Sequence, residues 1–415
     1  MKRLVIFGGK RLSGKVEISG FKNAALPILY ASIVTADVSV IENVPRIRDV
    51  DITLSLLTEM GAVARFTGKS TVLLDTRGMT PFLSSSVLCK KLRASTYLLG
   101  ACLARFGRAR VERPGGCLIG ARPIDLHIAA LSALGATVTE REGEVIAEAK
   151  ALCGAPVEFA KVSVGATVNA ILCALSAQGE TRIMGAAKEP HIGDLCRYLI
   201  ACGADIGGVD TDTLRINGGK RLHGCVFRLM PDMIEAGTFL CAVGAAGGEA
   251  FLKNARCGEL SSVIEPLRGM GLSIKREGEG LFVSKKGALS PFSVNAMPYP
   301  SFPTDMHPQL VALGCLCKGE SHLSDTVFPD RFGYTEELRR LGANLSVEGN
   351  TVTVRESSLR RGRVTAVDLR AGAALVVASL SVKGKVVIEN AEMIERGYVA
   401  LPEKLRALGA EVLSP

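Results

Sequence analysis

The sequence predicts an α/β protein of two domains, each assembled from three copies of one supersecondary unit. Three observations lead there. A glycine phrase returns at a near-constant interval, an apolar helix ends at each phrase, and a small-residue helix followed by a β-branched strand precedes it. The phrases are Met60-Gly61-Ala62, Leu134-Gly135-Ala136, Cys202-Gly203-Ala204, Met270-Gly271-Leu272, Leu341-Gly342-Ala343 and Leu408-Gly409-Ala410, with successive glycines 67 to 74 residues apart. Self-similarity at such a period marks stacked units that bury a shared core.

Each element has its own signal. Positions one and four before each glycine are apolar: Leu57/Met60, Leu131/Leu134, Leu199/Cys202, Leu267/Met270, Leu338/Leu341 and Leu405/Leu408. That spacing puts each pair on one helical face, and glycine is the residue that closes a helix. A short alternating stretch after the glycine reads as a strand. Upstream lie small-residue helices such as Ala24–Ala31, Val168–Ser176 and Gly372–Ser379. Strands rich in β-branched residues follow them, as at Val38–Ile41, Thr181–Met184 and Lys385–Glu389. One copy, read as strand, helix, strand, helix, strand, cannot bury its helices alone. Six copies make two domains of three, and the cleft between two such domains suits a ligand.

Composition narrows the function classes. Of 415 residues, 47% are hydrophobic and 22% charged, which sets aside a disordered chain. Aromatics reach 5% and tryptophan is absent, so Leu, Val, Ala and Ile are expected to fill the cores. No run of about 18 apolar residues argues for a membrane span. The start, MKRLVIFGGKRL, has an apolar stretch too short for a signal-peptide core. A cytoplasmic protein is expected. The net charge of +9 suits a solvated basic surface, an anionic small molecule or nucleic acid. The basic residues are spread out with few aromatics between them, which speaks against stacking on single strands. Neither nucleic acid nor a membrane is therefore expected as partner.

Twelve cysteines in so long a chain do not read as a disulfide framework. Cys102, Cys173, Cys202, Cys241 and Cys315 sit in Ala/Leu-rich segments, as small hydrophobes do. Cys315 and Cys317 lack a second pair at zinc spacing and the five histidines are scattered, so no metal is expected.

Three segments carry candidate chemistry. In Ser19-Gly20-Phe21-Lys22-Asn23 a turn opens a helix, whose free N–H groups and positive end suit a phosphate or carboxylate; a capping Asn beside a surface Lys is the alternative. In Arg113-Pro114-Gly115-Gly116-Cys117-Leu118-Ile119-Gly120-Ala121-Arg122, Cys117 lies outside any apolar pattern with two arginines close by. Cations favour a thiolate, and three glycines let the loop close as a lid; an incidental loop cysteine is the alternative. In Pro303-Thr304-Asp305-Met306, Asp305 reads as a helix cap or a general base. Arg331, Arg370 and Arg396 each stand near the start of a repeat helix. One such arginine is an ordinary surface residue; several converging would clamp a polyanion.

The strings SGFKNAALPIL, NVPRIRDVD, KLRAS, PGGCLIGARPIDLH, KVSVGATV, PDMIEAGTF, FPTDM, TVFPDRF, DLRAGAALV and ERGY follow one another along nearly the whole chain. In them the sequence resembles the UDP-N-acetylglucosamine enolpyruvyl transferases, and PGGC followed by GARP is the most specific part. The resemblance implies two inverse α/β-barrel (α/β prism) domains, each of three βαβαββ repeats. One would span residues 20–229, the other 1–19 plus 230–415, with the active site in the cleft between them. It implies transfer of the enolpyruvyl group of phosphoenolpyruvate to the 3'-hydroxyl of UDP-N-acetylglucosamine, with release of phosphate. That reaction is the first committed step of peptidoglycan synthesis, tied to cell shape and division, and it uses no cofactor.

Carried over by position, the resemblance assigns Lys22, Asn23, Arg122 and Arg396 to phosphoenolpyruvate. Cys117 would protonate the enol methylene, form a covalent adduct in many relatives and be alkylated by fosfomycin; Asp305 would take the sugar hydroxyl's proton. Lys22 and Arg396 would share in catalysis. Arg93, Arg122, Pro123, Ile124, Asp125, Leu126, Lys161, Val162, Ser163, Val164, Asp305 and Val327 would hold the nucleotide sugar. Asp368 and Arg370 would form a loop responding to domain closure, with Arg331 nearby. The oligomeric state stays open.

Some positions depart from the family's pattern. His307 stands where Gln is usual, and Arg113 replaces an aliphatic residue, which implies a somewhat more acidic Cys117 thiol. Pro402 enters the last helix near its first turn, where it is tolerated. Three rivals remain: a shikimate-type enolpyruvyl transferase, which would lack the PGGC loop; a diverged paralogue that binds the nucleotide sugar without turnover; and a repeat-built scaffold binding nucleic acid through its charge.

Overall fold

The six phrase glycines all take positive φ, from +86° at Gly409 to +105° at Gly271, in a computed structural model that describes residues 2–81, 87–112 and 123–415. Each closes a helix: Arg48–Glu59, Asp125–Ala133, Pro190–Ala201, Ser261–Gly269, Tyr334–Arg340 and Leu401–Ala407. At Gly61 the chain bonds back through Gly61 N to Thr58 O (2.9 Å) and Ala62 N to Leu57 O (3.0 Å), so orphan carbonyls of the last turn are satisfied. A side chain at this φ would be strained, which is why the glycine recurs. After the glycine the structure has a two-stranded hairpin where the periodicity suggested a single strand. Val63–Phe66, for example, pairs antiparallel with Val72–Asp75. Among the described residues five of the six units are thus βαβαββ, and the one with Arg108–Glu112 shows three strands.

The upstream helices are of another kind. Lys22–Thr35, Tyr97–Phe106, Val164–Ala174, Met233–Ala246, His307–Gly314 and Leu369–Ser381 are buried on nearly all sides. A helix apolar all round belongs in an interior, and small residues let such helices approach closely. Gly100 shows how closely: a Cβ there would lie 2.6 Å from the backbone oxygen of Asn169. Gly100→Ala should therefore cost about 1–3 kcal/mol, read as a lower melting temperature with the secondary structure kept.

The chain divides into two units, built from residues 2–19 and 231–415 and from residues 20–112 and 123–230. In each, three buried helices pack on one another and three sheets surround them, which is an inverse α/β barrel. In the first unit the sheets centre on Gly248–Lys253, Glu320–Asp325 and Gly384–Glu389; in the second, on Val38–Glu42, the Arg108–Glu112 region and Glu180–Met184. Distant strands complete them. Arg3–Gly8 runs antiparallel between Gly384–Glu389 and Glu411–Leu413. Lys15–Glu17 adds parallel to Phe251–Lys253, and Val226–Arg228 adds parallel to Val40–Glu42. The strands alternate buried and exposed residues, so one face of each sheet rests on the helices. Pro402 sits in the first turn of Leu401–Ala407, where no backbone bond is lost. Among the described residues no helix is long and apolar enough to cross a membrane, and no group of three or more His, Cys, Asp or Glu side chains could hold a metal.

Candidate functional site

In the unit built from residues 20–230, Lys22 is the first residue of its helix and Phe21 the cap, so Asn23 does not cap it. Nor is Lys22 a surface residue. Its side chain is 14% exposed, and Nζ lies 2.6 Å from Oδ2 of Asp49, which is 2% exposed. Asp49 comes from the first turn of Arg48–Glu59 and fixes the ammonium at the helix N-terminus, where its charge adds to that of the free N–H groups.

The same unit gathers three of the segments expected to hold a nucleotide sugar. Arg93 opens the turn Arg93–Thr96 and reaches toward Pro123 O at 3.5 Å. Ile124 precedes the helix that Asp125 and Leu126 begin. Lys161 and Val162 are exposed, Ser163 caps the helix that Val164 begins, and its hydroxyl accepts from Ala166 N (3.3 Å). One fully buried side chain ties these segments together. Asn169 donates to Thr96 O (3.0 Å), accepts from Gly100 N (2.8 Å) and meets His127 Nδ1 at 2.7 Å. Thr96 in turn donates to Arg93 O (3.0 Å). Arg113, Cys117 and Arg122 lie outside the described residues.

In the unit of residues 2–19 and 231–415, Asp305 stands in the short turn Thr304–Met306. It is not a helix cap. Its Oδ1 accepts from Arg331 (2.9 Å) and its Oδ2 from Arg370 (2.9 Å). The guanidiniums are 5% and 3% exposed while the carboxylate keeps 26%. Burial alone would raise the Asp305 carboxyl, but Arg370 and then Arg331 outweigh it and hold the group well below the usual carboxylate range. Arg370 Nη1 and Arg331 Nε have no acceptor among the described residues.

Asp368 and Arg370, the residues expected to respond to domain closure, stand at the start of a core helix. Asp368 caps the buried helix Leu369–Ser381, accepting from Arg370 N (2.8 Å) and Ala371 N (2.9 Å), so both residues are held by helix packing. Arg331 lies in the turn before Tyr334–Arg340, and Arg396 ends the turn Ala391–Arg396.

Behind Asp305 a second carboxylate, Asp325, organises the site. Its Oδ1 accepts from Val327 N and Phe328 N (2.9 Å each), and its Oδ2 accepts from Thr304 (2.5 Å) and meets His307 Nδ1 at 3.2 Å. Burial would raise this carboxyl, but the bonds from His307, Phe328 N and Thr304 hold it below its ordinary value. Thr304 Oγ1 also accepts from Arg331 (3.2 Å), so the turn bearing Val327 and the arginine on Asp305 share one anchor. His307, fully buried, meets Tyr334 Oη at 2.8 Å. Burial depresses its pKa despite Asp325, so the ring is neutral at neutral pH.

Asp49, Asn169 and Asp325 escaped the sequence reading. Only Asn169 left a trace there, as a lone amide in the apolar run Val164–Ala174.

Asp232 lies close by and caps Met233–Ala246, accepting from Ile234 N (2.8 Å) and Glu235 N (3.0 Å). Burial pushes its carboxyl up to about 6, against the pull of Arg370. A raised folded-state pKa means stability that is present below about pH 4 and is lost as pH rises through 6. Asp232→Asn keeps a good cap and removes the charge. It should raise stability at pH 7.5 by on the order of 2–3 kcal/mol, with little gain at pH 4, in urea unfolding at the two pH values.

A family model described as EPSP synthase (3-phosphoshikimate 1-carboxyvinyltransferase) matches residues 6–405. The UDP-N-acetylglucosamine 1-carboxyvinyltransferase of Dichelobacter nodosus is 43% identical over 413 residues, 99% of both chains. That of Nitratidesulfovibrio vulgaris is 43% identical over 416 residues, again 99% of both. Among solved structures, the enolpyruvyl transferase NikO from Streptomyces tendae aligns with a TM-score of 0.91 at 26% identity, covering 100% of this chain and 99% of that one. EPSP synthase from Acinetobacter baumannii aligns at 0.76 with 19% identity over 100% of both, a likeness of fold alone.

Proposed function

The chain belongs to the EPSP synthase family, and from that footing we propose that it transfers the enolpyruvyl group of phosphoenolpyruvate to the 3'-hydroxyl of UDP-N-acetylglucosamine, the first step of peptidoglycan synthesis. The observation that carries this reading at the site is the Asp305 carboxylate held between two buried guanidiniums that each keep an unpartnered N–H. An anionic substrate that draws on those guanidiniums releases Asp305 from them. Its pKa then rises toward the ordinary carboxylate value, and the group becomes a competent base.

The reaction runs by addition and elimination. The Cys117 thiol gives its proton to the methylene carbon of phosphoenolpyruvate as the sugar hydroxyl oxygen bonds to the neighbouring carbon. The hydroxyl proton passes to Asp305. In the second half the methyl group returns a proton to the Cys117 thiolate, the double bond re-forms, and phosphate leaves with the proton held by Asp305. Lys22, Asn23, Arg122 and Arg396 hold the phosphate and carboxylate throughout, with Lys22 set in place by Asp49. The segments around Arg93, Pro123–Leu126 and Lys161–Val164, gathered by Asn169, hold the nucleotide sugar together with Val327. A fosfomycin-type epoxide alkylates Cys117, and the enzyme works in the cytoplasm on these soluble substrates.

Phosphate release from phosphoenolpyruvate tests the reading. Release should require UDP-N-acetylglucosamine, and Cys117→Ser should abolish it or shift its pH profile strongly. Release with shikimate 3-phosphate instead would reassign the acceptor, and silence with both would leave a binding paralogue.

A further inference from the structure

Before the glycine, one repeat phrase departs in kind from the other five. The residue before the glycine is Met60, Leu134, Met270, Leu341 or Leu408 in five copies, a large side chain buried under the end of the helix, and Cys202 in the sixth. Cys202 is fully buried, and its sulfur lies 3.4 Å from that of Cys225, which is partly exposed. Cys225 directly precedes Val226–Arg228, the strand that closes the sheet of the first repeat. The backbones on both sides are already tied without the sulfurs. His223 N donates to Cys202 O (3.0 Å), Cys225 N to Ser39 Oγ (3.3 Å) and Val40 N to Cys225 O (2.9 Å). A backbone already hydrogen-bonded on both sides thus presents the two sulfurs to each other.

We propose that Cys202 and Cys225 are a covalent modification site, a dithiol that a hydroperoxide converts to a disulfide. Cys225 is the attacking sulfur. It is the more exposed of the two, and its contact with the Cys202 sulfur together with His223 favours its thiolate, whereas Cys102, Cys173, Cys196, Cys241 and Cys315 are each pushed up to about 12 by burial. The Cys225 thiolate attacks one peroxide oxygen; the O–O bond breaks, sulfur is oxidised to sulfenic acid, and the other oxygen leaves as an alcohol, or as water for hydrogen peroxide. Cys202 then attacks that sulfur; the S–S bond forms, the S–O bond breaks, and the departing hydroxide takes the Cys202 proton as water. Two thiols and one peroxide give one disulfide, one alcohol and one water. The bond fastens the strand that closes this unit to the helix end of its third repeat. It acts on the architecture, apart from the substrate residues proposed above.

The test is a titration of the full-length protein with hydrogen peroxide at neutral pH, followed by alkylation of free thiols and non-reducing peptide mapping. The expected result is a peptide linking Cys202 to Cys225 at doses that leave Cys153 and Cys257 alkylatable. Dithiothreitol should remove it and Cys225→Ser should abolish it. Because the bond closes the 203–224 segment, the oxidised protein should melt roughly 5 °C or more above the reduced form. Oxidation of Cys153, Cys257 or Cys117 with no Cys202–Cys225 peptide overturns the proposal, and so does loss of the free Cys202 thiol at the same peroxide dose in Cys225→Ser.

Discussion

Asp305→Asn should lower phosphate release by about 10²- to 10⁴-fold, the range expected when a proton acceptor is removed from its transition state. The substitution keeps the size of the side chain and one acceptor oxygen, so the loss falls on proton transfer. It also leaves Arg331 and Arg370, both nearly fully buried, without their counter-charge. The variant will therefore be less stable at neutral pH, and the assay belongs at a temperature where circular dichroism shows it folded. The wild-type carboxyl sits far below its unfolded value, so its contribution to stability is present above about pH 4 and is lost as pH falls below that. A variant that is folded and retains wild-type turnover would remove Asp305 from the chemistry.

Arg370→Met should cost about 3–5 kcal/mol of stability, the largest structural effect expected of a single substitution here. Methionine preserves the stem while removing the charge that Asp232 and Asp305 both face. Asp232 is 2% exposed, so water screens its charge little. The aromatic ring of Tyr398, 5.6 Å from the guanidinium, loses its cation as well. Urea unfolding gives the number. Combining the change with Asp232→Asn should recover part of the loss, because the buried carboxylate left behind is then gone. If Arg370→Met alone unfolds at the wild-type urea midpoint, the guanidinium is not holding these carboxylates.

The architecture was legible because it is written in local chemistry. A glycine at positive φ after a helix is demanded by one turn of backbone, and six turns demanded it six times. Lys22 and Asp305 were legible as residue types at the edges of elements. What they touch was not. Lys22 meets Asp49 from the next helix, Asn169 meets His127 from the preceding repeat, and Asp305 meets Arg370 from the next one. Such pairings are set by how repeats stack, and no spacing along the chain announces them. The same cause hid the setting of Asp368 and Arg370. Short of contacts, DLRAG reads as a polar break before an apolar run, whereas in the fold it is the capped first turn of a core helix.

The strand pairing of Arg3–Gly8 has a consequence for synthesis. That strand lies between Gly384–Glu389 and Glu411–Leu413, both made long after it. Arg3–Gly8, with its Val, Ile and Phe, therefore waits unpaired until those two strands emerge. The segment 20–230 contains its own closing strand and needs nothing made after it. Domains generally fold as units during translation, so this segment is complete while most of its sister is still to be made. The waiting strand is where a nascent chain of this design is exposed to chaperones and to wrong strand partners.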